Sequence, residues 1–89
     1  MTRRTLLFSG RVQGVGFRAT AAALARRHCL QGFVRNLADG RVETVVEGED
    51  AAVSHFLDDL RRTFERQIQN CQDRSDAATG EFGGFEILY

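Results

Sequence analysis

The sequence predicts an α+β sandwich in which two helices cover one face of an antiparallel sheet, in the order β-α-β-β-α-β. Three observations lead there. Two segments repeat apolar residues at helical spacing, β-prone runs flank each of them, and 89 residues with 43% hydrophobic content suffice for one core but not two. Each helical stripe needs an apolar surface to cover, and a single sheet lying across both provides it, as in the split β-α-β arrangement. Residues 1 to 89 are read as one domain.

The elements follow in order. Residues 5 to 12 (TLLFSGRV) read as a strand, and QGVGF then makes a glycine-containing turn. Ala, Leu and Arg dominate residues 17 to 29, and Phe17, Ala21, Leu24, Ala25 and His28 share one helical face, with Gly32 just beyond as a stop. GFVRN (32 to 36) is a short strand, Asp39-Gly40 supplies a hairpin turn, and Val42, Thr44 and Val46 then alternate with Glu43, Val45 and Glu47. Gly48 breaks that strand. Asp50 is the expected N-cap of a second helix over about 50 to 64, whose stripe is Val53, Phe56, Leu57, Leu60 and Phe64. Residues 66 to 84 carry the weakest pattern, with Ile68 and Cys71 pointing to a strand over 67 to 73. Phe85, Ile87 and Tyr89 alternate with Glu86 and Leu88 as a closing strand.

The net charge of +0 argues against a polyanionic partner, since nucleic-acid binding draws on basic residues that release counterions. That zero hides an asymmetry. Residues 1 to 45 hold eight Arg against Asp39 and Glu43, whereas residues 46 to 89 hold four Arg against ten acids. Every basic residue is Arg, which removes lysine-dependent chemistry such as a Schiff base. Cys29 and Cys71 are too few and too far apart in sequence for a disulfide framework, and the apolar runs are too short to cross a membrane. A cytoplasmic monomer that touches neither nucleic acid nor membrane is the expectation.

The chemistry concentrates in Gly10-Arg11-Val12-Gln13-Gly14-Val15-Gly16-Phe17-Arg18, between a strand and a helix. Glycines there let successive backbone N–H groups converge, and a helix start adds unsatisfied N–H groups with a partial positive charge. Such a concavity suits a tetrahedral anion, and Arg18, in the first helical turn, carries a planar five-donor fork that clamps phosphate oxygens.

Other readings of the same residues fare worse. Gly14-Val15-Gly16-Phe17-Arg18-Ala19 fits the spacing of a dinucleotide fingerprint, but the acidic residue at the right distance, Asp39, lies in a hairpin turn, and the chain is too short for a doubly wound sheet. No G-K-[S/T] follows, so the loop is not a P-loop. His28 and His55 lie in helices without a surrounding carboxylate or cysteine constellation, and no metal site is expected. An RNA-binding sheet surface would need exposed aromatics in the RNP1 pattern, which are missing.

The segment resembles the acylphosphatase family, whose first motif, G-x-V-Q-G-V-x-F-R, is present intact at residues 10 to 18. A second family motif matches Gly32-Phe33-Val34-Arg35-Asn36, Gly40, Val42 and Gly48, and the closing Phe-x-Ile-x-Tyr matches Phe85, Ile87 and Tyr89. The resemblance implies a ferredoxin-like α/β sandwich and hydrolysis of the carboxyl-phosphate bond of small acyl phosphates, without cofactor. It implies that backbone groups of Val12, Gln13, Gly14, Val15, Gly16, Phe17 and Arg18 bind the phosphate, that Arg18 holds its oxygens, and that Asn36 positions the attacking water. The alternative it leaves is a non-catalytic module that binds carbamoyl phosphate or another acyl phosphate. Two departures stand out: Leu37 follows the motif Asn where many relatives carry Thr, and residues 63 to 80 lack the family's proline-containing connection.

Overall fold

The computed structural model describes residues 1–89 as β1 (Thr2–Gly10), α1 (Phe17–Arg27), β2 (Gln31–Asn36), β3 (Val42–Gly48), α2 (Asp50–Thr63), β4 (Ile68–Ala77) and β5 (Phe85–Leu88). The five strands, one more than the order β-α-β-β-α-β counts, form one sheet in the order β4-β1-β3-β2-β5. Leu6, Phe8, Val34, Val42 and Val46 of the sheet meet Phe17, Ala21 and Ala25 of α1 and Val53, Phe56, Leu57 and Leu60 of α2 in a core of 18 buried residues. Both helical stripes thus face the core as their spacing puts them, except His28, which caps the end of α1 outside the core.

The sheet departs from the expected antiparallel pattern at one edge. β1 pairs antiparallel with β3 and β4, and β2 with β3, but β5 lies parallel to β2, with Gly32 opposite Phe85 and Arg35 opposite Leu88. The cause is topological: β4 and β5 occupy opposite edges, so residues 78 to 84 recross the sheet and the chain enters β5 from the end at which β2 begins.

Element boundaries shift for local reasons. β1 starts at residue 2 because Arg3 and Arg4 find carboxylates on neighbouring strands, Glu47 and Asp73. It ends at Gly10, beside a register shift against β4. α1 stops at Arg27, and the stop is Cys29 at φ 57 rather than Gly32, which lies inside β2. Glu49, not Asp50, is the N-cap of α2; Asp50 is its first helical residue, where its charge faces the positive end of the helix dipole. β4 is longer than expected, because its backbone pairs along β1 while nearly all its side chains are exposed, which leaves hydrophobic patterning silent.

The recrossing segment is fastened to the sheet by one buried carboxylate. Glu47, 3% exposed, accepts from Arg3 Nε at 2.6 Å, Thr79 N at 3.0 Å, Thr79 Oγ1 at 3.1 Å and Gly80 N at 2.9 Å. Burial pushes its carboxyl up, but these donors more than offset that and hold its pKa at about 2, against an ordinary 4.5. Phe82 then packs edge-on against Phe33 at 6.0 Å. No helix is long and apolar enough to cross a membrane.

Candidate active site

The loop between β1 and α1 is held at both ends by core residues. Val12 and Phe17 are fully buried, and Phe17 packs its ring against Phe8 at 5.1 Å and Phe64 at 4.7 Å. Gln13 fixes the middle from the side: its Nε2 donates to the carbonyls of Leu37 at 2.8 Å and Arg41 at 3.0 Å, tying the loop to the β2–β3 turn. A side chain that bonds two backbone carbonyls of another element is a structural tie, so any contact of Gln13 with a ligand is left to its backbone.

Gly14 and Gly16 take left-handed φ values of 76° and 81°, and a Cβ at either would meet nothing within 4 Å. Backbone direction, not crowding, selects glycine here. No backbone acceptor takes the N–H groups of residues 12 to 16. α1 opens directly from Gly16, with no side-chain cap and no acidic residue in its first turn. The positive end of that helix therefore faces the loop without an anion supplied by the protein.

Arg18 completes the cradle. Its Nη1 donates to the carbonyl of Leu88 at 3.2 Å, and its guanidinium lies over the Tyr89 ring at 4.7 Å. No carboxylate pairs with it, whereas Arg3, Arg4, Arg35 and Arg41 each sit on one. Asn36 closes β2, opposite Val42, and its Oδ1 is buried with no hydrogen-bond partner. A cavity of about 170 Å³ brings Gly14, Gly16, Arg18 and Asn36 together with Ile87 and Tyr89. An unpaired cation and free N–H donors around one small cavity, with Asn36 in its wall, have the chemistry that suits a small tetrahedral anion.

Of the residues expected here, Val12, Gly14, Gly16, Phe17, Arg18 and Asn36 line this cavity. Gln13 turns to the hairpin, and the Val15 side chain points to solvent, 38% exposed. The contribution of Leu88 and Tyr89 is not legible in the sequence, because it depends on β5 running parallel to β2. Leu37 takes part through its backbone, accepting from Gln13 and donating to the Arg41 carbonyl at 2.8 Å. His28 lies away from the cavity, on Asp59 of α2 at 2.9 Å.

Comparison with known proteins agrees with this geometry. The acylphosphatase family model matches residues 4–87. The chain is 42% identical over 90 residues to an acylphosphatase of Roseiflexus sp. (strain RS-1), covering all of this chain and 97% of that one. It is 45% identical over 89 residues to an acylphosphatase of Methylococcus capsulatus, covering 99% and 97% of the two chains. Its backbone is similar to the crystal structure of acylphosphatase from Bacillus subtilis, with a TM-score of 0.91, 29% identity and full coverage of both chains.

Proposed function

The chain belongs to the acylphosphatase family and is a hydrolase of that kind, and from this premise we propose how its residues divide the reaction. The backbone N–H groups of residues 12 to 18 and the Arg18 fork hold the phosphoryl group, and Asn36 orients the water that attacks phosphorus. The observation that carries this reading is that Arg18, which no carboxylate pairs, and Asn36 line one cavity.

The chemistry asks for little else. An acyl phosphate is a mixed anhydride, and its leaving group is a carboxylate stable without a proton, so no general acid is needed. The transition state of phosphoryl transfer is loose and spreads charge over three equatorial oxygens, which N–H donors and a guanidinium stabilise. Water adds to phosphorus as the P–O bond to the acyl oxygen breaks, giving carboxylate and inorganic phosphate. The Asn36 carbonyl accepts from the water and its NH₂ donates to a phosphoryl oxygen. Asn has no useful basicity, so the water proton passes to a phosphoryl oxygen of the substrate itself. Ile87 and Tyr89 give the rest of the wall no feature that selects one small acyl group over another.

All these groups come from one chain, which supports a monomer of one domain. Cys29 and Cys71 are free thiols, which fits a reducing cytoplasmic setting. The test is release of phosphate from benzoyl phosphate by metal-free protein. Arg18→Ala is expected to lose inhibition by inorganic phosphate together with turnover, while Asn36→Ala keeps phosphate inhibition and loses kcat by about 10²-fold or more. Full activity in Arg18→Ala refutes the assignment.

A further inference from the structure

We propose that Thr44 is a positioning residue for Asn36, its hydroxyl linked to the Asn36 amide oxygen through one buried water. The inference rests on Asn36 orienting the attacking water. Thr44 lies in the middle of β3, on the core face it shares with Val42 and Val46, and is fully buried. Its Oγ1 has no protein partner, and neither has Asn36 Oδ1; no other buried side-chain oxygen or nitrogen of the chain is left so. A valine would fill the same volume without a polar atom to desolvate, so this hydroxyl weakens the core unless something bonds it.

The sheet register singles out Asn36 as the group it serves. Thr44 stands opposite Leu6 of β1 and Val34 of β2, and Asn36 is two residues on from Val34, opposite Val42, on the same face. Asn36 is thus a diagonal neighbour of Thr44. The other diagonal neighbours are Gly32, Phe8 and Arg4, and Arg4 is drawn off by Asp73 of β4, to which its Nε donates at 2.7 Å. Every buried side chain of the two helices above is apolar. Diagonal residues stand about 7–8 Å apart at the backbone, and one water with two hydrogen bonds spans about 5.5 Å between oxygens. The cavity at Asn36 gives that water its way in. The water donates to the amide oxygen, which only accepts, and the link fixes which end of the amide is oxygen. Oδ1 keeps its second lone pair, and the NH₂ both its hydrogens, for the attacking water and the phosphoryl group.

The test measures kcat and KM on benzoyl phosphate, inhibition by inorganic phosphate, and the melting temperature. Thr44→Val, which keeps the shape and removes the hydroxyl, is expected to lower kcat about fivefold while KM, phosphate inhibition and melting stay near wild type. Thr44→Ala loses kcat to the same degree. Thr44→Ser, which keeps the hydroxyl and drops a buried methyl, melts below wild type yet restores kcat. In an Asn36→Ala background Thr44→Val has no further effect. The proposal is overturned if Thr44→Val turns over like wild type, if Ser loses as much kcat as Val, or if the loss persists undiminished in the Asn36→Ala background. It is equally overturned if Thr44→Val weakens phosphate inhibition as much as it lowers kcat, because the hydroxyl would then be acting on the cradle. Full kcat in Asn36→Ala removes the role of Asn36 itself, a failure distinct from that of Thr44.

Discussion

The two ends of strand β3 treat polar groups in opposite ways. At one end Glu47 is buried, and its two oxygens are taken by Arg3, the Thr79 hydroxyl and the Thr79 and Gly80 N–H groups. At the other end, beside Val42, Asn36 Oδ1 is buried with no partner, Arg18 has no carboxylate and the N–H groups of the loop are open. A buried group without a partner costs about 1–3 kcal/mol; Thr44 Oγ1, in the middle of β3, is a second such atom, so what sets the Asn36 end apart is the combination with Arg18 and the loop N–H groups around one cavity. Side chains paired within the chain mark the structural end, and an arginine and N–H groups without protein partners mark the functional one.

The largest expected effect comes from making the functional end resemble the structural one. Arg18→Glu exchanges the free cation for an anion in the cradle, and kcat/KM on benzoyl phosphate is expected to fall about 10³-fold, with loss of phosphate inhibition. Stability should fall by no more than about 1 kcal/mol, since Arg18 makes no ion pair and its losses are one hydrogen bond to Leu88 and an exposed ring contact. A variant retaining a tenth of wild-type activity would show that the cradle does not act through charge.

The reciprocal change acts at the other end. Glu47→Ala takes one of two carboxylates from Arg3, which keeps Glu81, and leaves the N–H groups of Thr79 and Gly80 without an acceptor, which is expected to cost about 3 kcal/mol. For a chain of this size each kcal/mol lowers the melting point by roughly 4–8 °C, so a fall of less than about 5 °C would count against the clasp. Turnover per folded molecule, measured well below the melting point, is expected to stay within about threefold of wild type.

The same contrast explains what the sequence made legible. The functional end is local: residues 10 to 18 are contiguous, and Asn36 lies in a hairpin whose turn is announced by Asp39-Gly40, so strand, loop, helix and both site residues follow from one stretch. The structural end is assembled from Arg3, Glu47, Thr79 and Gly80, which no pattern of spacing connects. β4 runs longer than its pattern for a related reason: its largely exposed QNCQDRSDA gains strand structure from pairing with β1 and from Arg4 on Asp73, neither of which hydrophobic alternation records. The parallel placement of β5, and with it Leu88 and Tyr89 at the cavity, followed from the recrossing segment and was equally out of reach.

Acid separates the two ends by a smaller margin. The folded pKa of Glu47, about 2, lies below the ordinary 4.5, so its contribution is complete above pH 4.5 and is lost as pH falls through 2. Asp73 on Arg4, Asp59 on His28 and Glu81 on Arg3 are lowered as well, so wild type alone does not isolate Glu47. Denaturant midpoints of wild type and Glu47→Gln should therefore converge as pH drops from 6 to 2. A gap that stays constant across that range would place the stabilisation elsewhere.

The smallest effect on stability, and the finest discrimination, comes from two glycines of similar conformation. Gly16 has φ 81° and opens α1 in the cradle, while Gly40 has φ 95° in the β2–β3 turn, and an added Cβ meets nothing within 4 Å at either. Alanine at each site is strained only by its left-handed backbone, at about 1 kcal/mol, so Gly16→Ala and Gly40→Ala should lower the melting point by similar amounts. Their activities should diverge. Gly16 lines the cavity and sets the direction of the N–H groups at the start of α1, where a displacement of about 1 Å is worth up to 10²-fold in rate, whereas Gly40 is absent from the cavity wall. Melting curves paired with benzoyl phosphate kinetics decide the matter: equal losses of activity in the two variants would mean that the loop glycines serve the turn alone and do not aim the cradle.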